Sequence, residues 1–207
     1  MKLKQILAIV LSMALVACIS VAATVAYLAD TDAVVNTFTV GKVEITLDEE
    51  NVDGDVDPET SATPDRDKQN DYQLFPGKDY DKDPTVHVVA TSEECYVYVK
   101  VENGIANIES EKAGYVNIAT QITQNGWAAL EGVENVYWRK HDKVANATAD
   151  TKPTNYVVFE NFTIATDVDN DVLSTYTGDL VKVTAYAIQT ETFADEKAAW
   201  TASGFGN

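Results

Sequence analysis

Cys95-Tyr96-Val97-Tyr98-Val99-Lys100-Val101 is the stretch that decides the fold. β-Branched and aromatic residues fill it, which predicts a strand lying centrally in a sheet. Upstream, Glu93-Glu94 marks a turn, and Thr85-Val86-His87-Val88-Val89-Ala90 reads as a preceding strand entered through Asp83-Pro84. Further back, Leu74-Phe75-Pro76-Gly77 has an apolar entry and the Pro-Gly pair of a type II turn, where proline fixes one φ and glycine takes the positive one. Downstream, the section from Ile105 to Ile122 fits a short helix or a long excursion, and Asn125-Gly126 signals a tight turn before Trp127. Further strands are predicted over 133–140 and 155–162, and a long one over 180–190, where Val181, Val183, Ala185 and Ala187 alternate. Residues 193–200 suit a short helix with Phe193 and Trp200 on one packing face.

Many short strands separated by turns, with no βαβ rhythm and no internal repeat, predict an all-β protein. The expected architecture is an antiparallel jelly-roll β-sandwich with short helical excursions, preceded by an N-terminal hydrophobic signal helix. The chain from Val34 to Leu47 reads as extended, a half-buried first strand in which Thr37-Phe38-Thr39-Val40 alternates, Gly41 punctuates, and Val43, Ile45 and Leu47 alternate with Lys42, Glu44 and Thr46. From Asp48 to Asn70 the chain turns acidic and loses apolar periodicity, with Pro58 and Pro64 inside it, and reads as a surface loop. The division is therefore a signal peptide over 1–26, an N-terminal extended segment and first strand over 27–47, an acidic flexible loop over 48–70 and the rest of the domain over 71–207.

The N-terminus bears on location. Lys2 and Lys4 precede an uncharged run from Ile6 to Ala29, and Thr24-Val25-Ala26 offers the small residues that a signal peptidase needs. Three readings are open. Cleavage near Ala26 gives a secreted protein. Retention gives a membrane anchor, since roughly 20 apolar residues span a bilayer. The lipobox-like Leu15-Val16-Ala17-Cys18 would instead give a lipidated Cys18. Cleavage and secretion, to the extracellular space or the cell surface, is the reading taken here, with membrane contact only through the signal segment.

The chain has 15 basic and 33 acidic residues, a formal charge of -18. Loss of the first 26 residues removes two lysines and no acid, leaving 13 against 33, or -20. Such a surface repels nucleic acid and anionic lipid, which excludes both as expected partners. Cys95 is the only cysteine beyond the signal, so a cleaved chain has no internal disulfide and relies on packing, ions or assembly. In its strand pattern Cys95 reads as a small buried hydrophobe.

Chemistry-bearing motifs are sparse. His87 and His141 are the only histidines, and no His-Glu-x-x-His is present. His87 is expected to face outward from its strand, and His141 to lie in the solvated loop Arg139-Lys140-His141-Asp142-Lys143. Ser174 and Ser203 lack any activating context. Asp53-Gly54-Asp55-Val56-Asp57 and Asp167-Val168-Asp169-Asn170-Asp171 space carboxylates as calcium loops do, but neither has the EF-hand glycine, and the second has Gly178 where glutamate is required. Both are read as charged turns. The aromatics, among them Tyr96, Tyr98, Trp138 and Tyr186, are expected to be core or cross-strand residues rather than a carbohydrate-binding row. No catalytic, cofactor-binding or metal-binding residue is assigned, and no cofactor is expected.

The segment from Thr24 to Leu47, with its hydrophobic signal, acidic Asp30-Thr31-Asp32 junction, Asn36-Thr37-Phe38-Thr39-Val40-Gly41 and alternating strand, resembles the TasA/camelysin family. Members are secreted bacterial proteins processed by a SipW-type signal peptidase. Leu74-Phe75-Pro76-Gly77 followed by Lys82-Asp83-Pro84-Thr85-Val86 is similar to the family's next strand entry, and 96–103 and 185–189, with Phe193 and Trp200, continue the likeness. The resemblance implies a jelly-roll subunit of an extracellular matrix or biofilm fibre that assembles with copies of itself, the N-terminal strand of one completing the sheet of the next. Some members are described as metallopeptidases, so a camelysin-like cell-surface peptidase is the first alternative and a monomeric adhesin the second. No catalytic residue carries over. The expected donor strand lies within 28–40, with Val34, Val35, Phe38 and Val40 as anchors.

Overall fold

A computed structural model describes residues 41–54, 66–110, 116–178 and 180–205. The expected signal helix and donor strand lie outside these residues. Ten strands and three short helices occur among the described residues, and every strand pairing is antiparallel. The chain is thus mainly β, as the alternation predicts.

One four-stranded sheet is built from β1 (Ile45–Glu50), β2 (Arg66–Asp67), β4 (Thr85–Val88) and β8 (Thr154–Val157), in the order β2-β1-β4-β8. The other contains β5 (Cys95–Asn103), β6 (Ala128–Ala129), β7 (Val136–His141) and β10 (Val181–Gln189), in the order β10-β5-β7-β6. A two-stranded sheet pairs β3 (Asp79–Asp81) with β9 (Asn161–Thr163). The helices are α1 (Ile118–Gln124), α2 (Asn170–Leu173) and α3 (Glu196–Ser203).

The central position predicted for the Cys95–Val101 stretch is observed: β5 pairs with β10 on one side and β7 on the other. Its two faces serve two cores, because successive strand residues point in opposite directions. Cys95, Val97, Val99 and Val101 join Val86 and Val88 of β4 in the main core, so the two large sheets share one apolar interior. On the opposite face Tyr98 packs with Leu130, Val136 and Trp200 in a second cluster, with Tyr96 partly buried against it. The Tyr98 hydroxyl donates to the Glu196 carbonyl at 2.6 Å, which fixes α3 over this face.

Local chemistry sets the boundaries. Each helix begins at a side chain that accepts a backbone N–H of the first turn: Asn117 from Thr120, Asp169 from Val172 and Asp195 from Ala198. At the Leu74–Gly77 turn, Lys78 N–H reaches the Phe75 carbonyl at 3.3 Å and Gly77 takes φ 72°, as a type II turn requires.

Four differences from the sequence reading have physical causes. β1 continues through Asp48, Glu49 and Glu50 into the stretch read as acidic loop, because Arg66 and Asp67 pair back onto its end as β2. The stretch 155–162 is not one strand: β8 pairs with β4 and β9 with β3, with the buried Val158 and Phe159 between them. The C-terminal helix starts at Glu196, because Asp195 caps it, and Phe193 sits in the preceding turn. His141 is buried at the end of β7 rather than in a solvated loop, held by register with Cys95 and by the Tyr156 hydroxyl, 2.9 Å from its Nδ1.

Candidate functional site

Val43, just before β1, and Ile45 and Leu47 of β1 pack on the main core, and the same alternation carries Val181, Val183, Ala185 and Ala187 of β10 there. The two strands approach within 8 Å between Cα atoms but do not pair with each other. β10 is the edge of its sheet, and its backbone groups facing away from β5 have no strand partner among the described residues. A cleft of about 1370 Å³ opens along this side. Leu47, Leu74, Ile105, Leu173, Leu180 and Val183 supply its apolar lining, with Phe75 exposed at its rim. An unpaired strand edge beside an apolar trough can accept an added strand: the edge supplies hydrogen bonds and the trough takes alternate side chains.

The polar end of the cleft is formed by Glu49, Asn70, Tyr72 and Lys82. Glu49 continues the inward alternation of Val43, Ile45 and Leu47, so its carboxylate points inward and is buried. Lys82 Nζ, equally buried, donates to Glu49 Oε2, and Asn70 Nδ2 donates to Glu49 Oε1 at 2.9 Å. Tyr72 lies beneath the ammonium, 5.3 Å from ring centroid to Nζ, and meets Phe162 and Tyr80 edge-on. Burial, followed by the Glu49 charge, holds the Tyr72 hydroxyl protonated far above neutrality. The sequence reading passes over these residues. The usable signal is a glutamate at the next inward position of an apolar alternation, which demands a buried partner.

On the outer face of the same strand Asp48 joins two cations. Arg66 Nε lies 2.6 Å from Asp48 Oδ1, and Arg66 Nη1 lies 2.6 Å from Asp83 Oδ2. His87 faces outward, as expected, but is not free: Nε2 lies 2.9 Å from Asp48 Oδ1 and Nδ1 2.8 Å from Asn155 Oδ1. Both ring nitrogens meet acceptors, an arrangement that suits the imidazolium. The Asp48 hydrogen bond accordingly raises the His87 pKa above its ordinary value, with burial opposing. Burial would raise the Asp48 carboxyl, but the His87 and Arg66 hydrogen bonds and charges bring it below the usual range.

The remaining candidates are not brought together. His87 pairs with Asn155 and Asp48, whereas His141 lies beside Tyr156 with its pKa lowered by burial. Cys95 is fully buried, and burial, with the Glu94 charge adding, pushes its thiol up to about 12, so it is protonated and unreactive at neutral pH. Ser174 and Ser203 donate to the carbonyls of Asp171 and Trp200 at 2.7 Å, closing helix ends. Asp169 is a helix cap and Asp53 accepts the Asp71 N–H at 2.6 Å, whereas Asp55 and Asp57 lie outside the described residues. Among the described residues, no three His, Cys, Asp or Glu side chains are grouped to hold a metal ion, and no helix is long and apolar enough to cross a membrane. Comparison with protein-family models, curated proteins and solved structures finds no match.

Proposed function

We propose that the chain is a secreted, non-catalytic structural subunit of an extracellular matrix or biofilm fibre, and that its two large sheets are the layers of a jelly roll completed by a strand from a second copy. The observation that carries this reading is the open edge of β10 beside the apolar cleft. The occupant is the segment 28–40 of a neighbouring copy. Its Val34, Val35, Phe38 and Val40 offer apolar anchors, and its backbone can pair with the edge. A SipW-type signal peptidase would free this segment by cutting near Ala26, so that assembly follows export. The high negative charge keeps subunits apart until strand insertion outweighs their repulsion.

The test is N-terminal sequencing and mass spectrometry of the secreted form, followed by electron microscopy of that same material. A start near Tyr27 together with filaments is expected. A lipidated Cys18, or a correctly processed chain that stays monomeric under all assembly conditions, would overturn the reading. The peptidase alternative predicts stoichiometric zinc and chelator-sensitive hydrolysis by the purified protein.

A further inference from the structure

The buried group at the polar end of the cleft has more parts than an ion pair needs. Glu49 bridges an amine and a carboxamide: one carboxylate oxygen receives Lys82 Nζ and the other receives Asn70 Nδ2 at 2.9 Å. The Asn70 amide orientation is fixed by its surroundings, because Nδ2 also donates to the Glu50 carbonyl at 2.8 Å. Its Oδ1 accepts the Val52 backbone N–H at 2.8 Å. A nucleophilic nitrogen and the leaving nitrogen therefore share one proton acceptor, Glu49, and a backbone donor already faces the Asn70 carbonyl oxygen. Lys82 and Glu49 are both buried, and the Tyr72, Tyr80 and Phe162 rings cluster beside them, which shields the nucleophile and the proton acceptor from bulk water, while Asn70 stays half-buried at the cleft wall.

We propose that Lys82 and Asn70 form an intramolecular isopeptide cross-link, with Glu49 as the catalytic proton shuttle. Glu49 takes a proton from the Lys82 ammonium through Oε2, leaving a neutral amine. The amine lone pair forms a bond to Asn70 Cγ, and the negative charge that develops on Oδ1 faces the Val52 N–H. The Cγ–Nδ2 bond then breaks. Nζ gives up two protons in all: one ends on the departing nitrogen, which leaves as ammonia through the cleft, and the other stays on Glu49 until the ammonia or water removes it. The balance is one ammonium and one carboxamide converted to one secondary amide and one ammonium ion. No oxidant, metal or cofactor is consumed. The product ties the chain after β2 to the chain after β3 and clamps one wall of the cleft without any cysteine. The inference rests on this geometry alone and is independent of fibre assembly.

Mass spectrometry of the purified full chain decides it. The wild-type protein is expected to be lighter than its sequence by one ammonia. Trypsin should fail to cut after Lys82 and release a branched peptide joining residues 69–78 to 79–100. Lys82→Arg, Asn70→Ala and Glu49→Gln should each carry the full mass and yield no branched peptide. Glu49→Gln keeps the shape of the side chain but cannot move the proton, so it separates shuttle from scaffold. If a variant does not fold, the wild-type branched peptide still decides the matter. A folded wild-type protein with full mass and ordinary cleavage after Lys82 would overturn the proposal and leave a simple ion pair. A loss of ammonia without the branched peptide would place the loss in a succinimide elsewhere and would overturn it equally.

Discussion

Asp48 and Glu49 are neighbours in sequence and do opposite jobs, because a strand sends them to opposite faces. Asp48 faces out and neutralises Arg66 and His87, tying the end of β1 to β2 and β4. This has a pH consequence. The folded pKa of His87 is raised, so the stability it contributes is complete below its ordinary value of 6.5 and is lost as pH rises through the folded value. The folded pKa of Asp48 is lowered, so its contribution is present above 3.8 and is lost as pH falls through the folded value. The groups around His87 are Asp48, Arg66 and Asn155, and the Arg66 charge works against its protonation. Thermal unfolding from about pH 6 to about pH 8 should show the wild-type Tm falling relative to His87→Gln. Parallel curves would contradict that role. A second residue-scale prediction concerns Gly104, where a Cβ would lie 2.9 Å from the Leu180 carbonyl oxygen. Gly104→Ala should cost about 1–3 kcal/mol in urea unfolding, by forcing apart the junction of β5 and β10. An unchanged midpoint would show that the junction yields freely.

At the scale of elements, β5 organises the molecule by feeding one core with its valines and the other with Tyr96 and Tyr98. The second core depends on α3, whose Trp200 ring lies 5.1 Å from that of Tyr98 and 5.5 Å from that of Tyr186. Trp200→Ala should therefore destabilise the fold by about 3–5 kcal/mol in denaturant titration. A loss below about 1 kcal/mol would mean that α3 is dispensable, since surface changes stay near that level. These elements were legible in the sequence because alternation and turn residues are local signals: β5, β10 and the Pro76-Gly77 turn follow from them directly. What local pattern could not reveal is partnership across distance. β2 exists because Arg66 finds Asp48 and Asp83, and His141 is buried because β7 runs alongside β5 to its start. The Lys82–Glu49–Asn70 group joins residues from three segments, so spacing alone gives no hint of it. Only Glu49, one step beyond an apolar alternation, signalled a buried charge in need of a partner.

For the whole molecule, the central claim is that the sandwich is incomplete at the β10 edge and that residues 28–40 of another copy complete it. On this proposal, a chain of net charge -18 whose one described cysteine, Cys95, is free would gain order from such insertion, since each join would add hydrogen bonds and apolar burial without requiring charge neutralisation. The most direct measurement compares a mature chain beginning at Tyr27 with one beginning at Gly41, each first shown to be folded by circular dichroism and then imaged by electron microscopy under the same assembly conditions. Filaments from the first and only folded monomers from the second are the predicted result. Filaments of equal abundance from both, or none from the folded longer chain, would contradict the account.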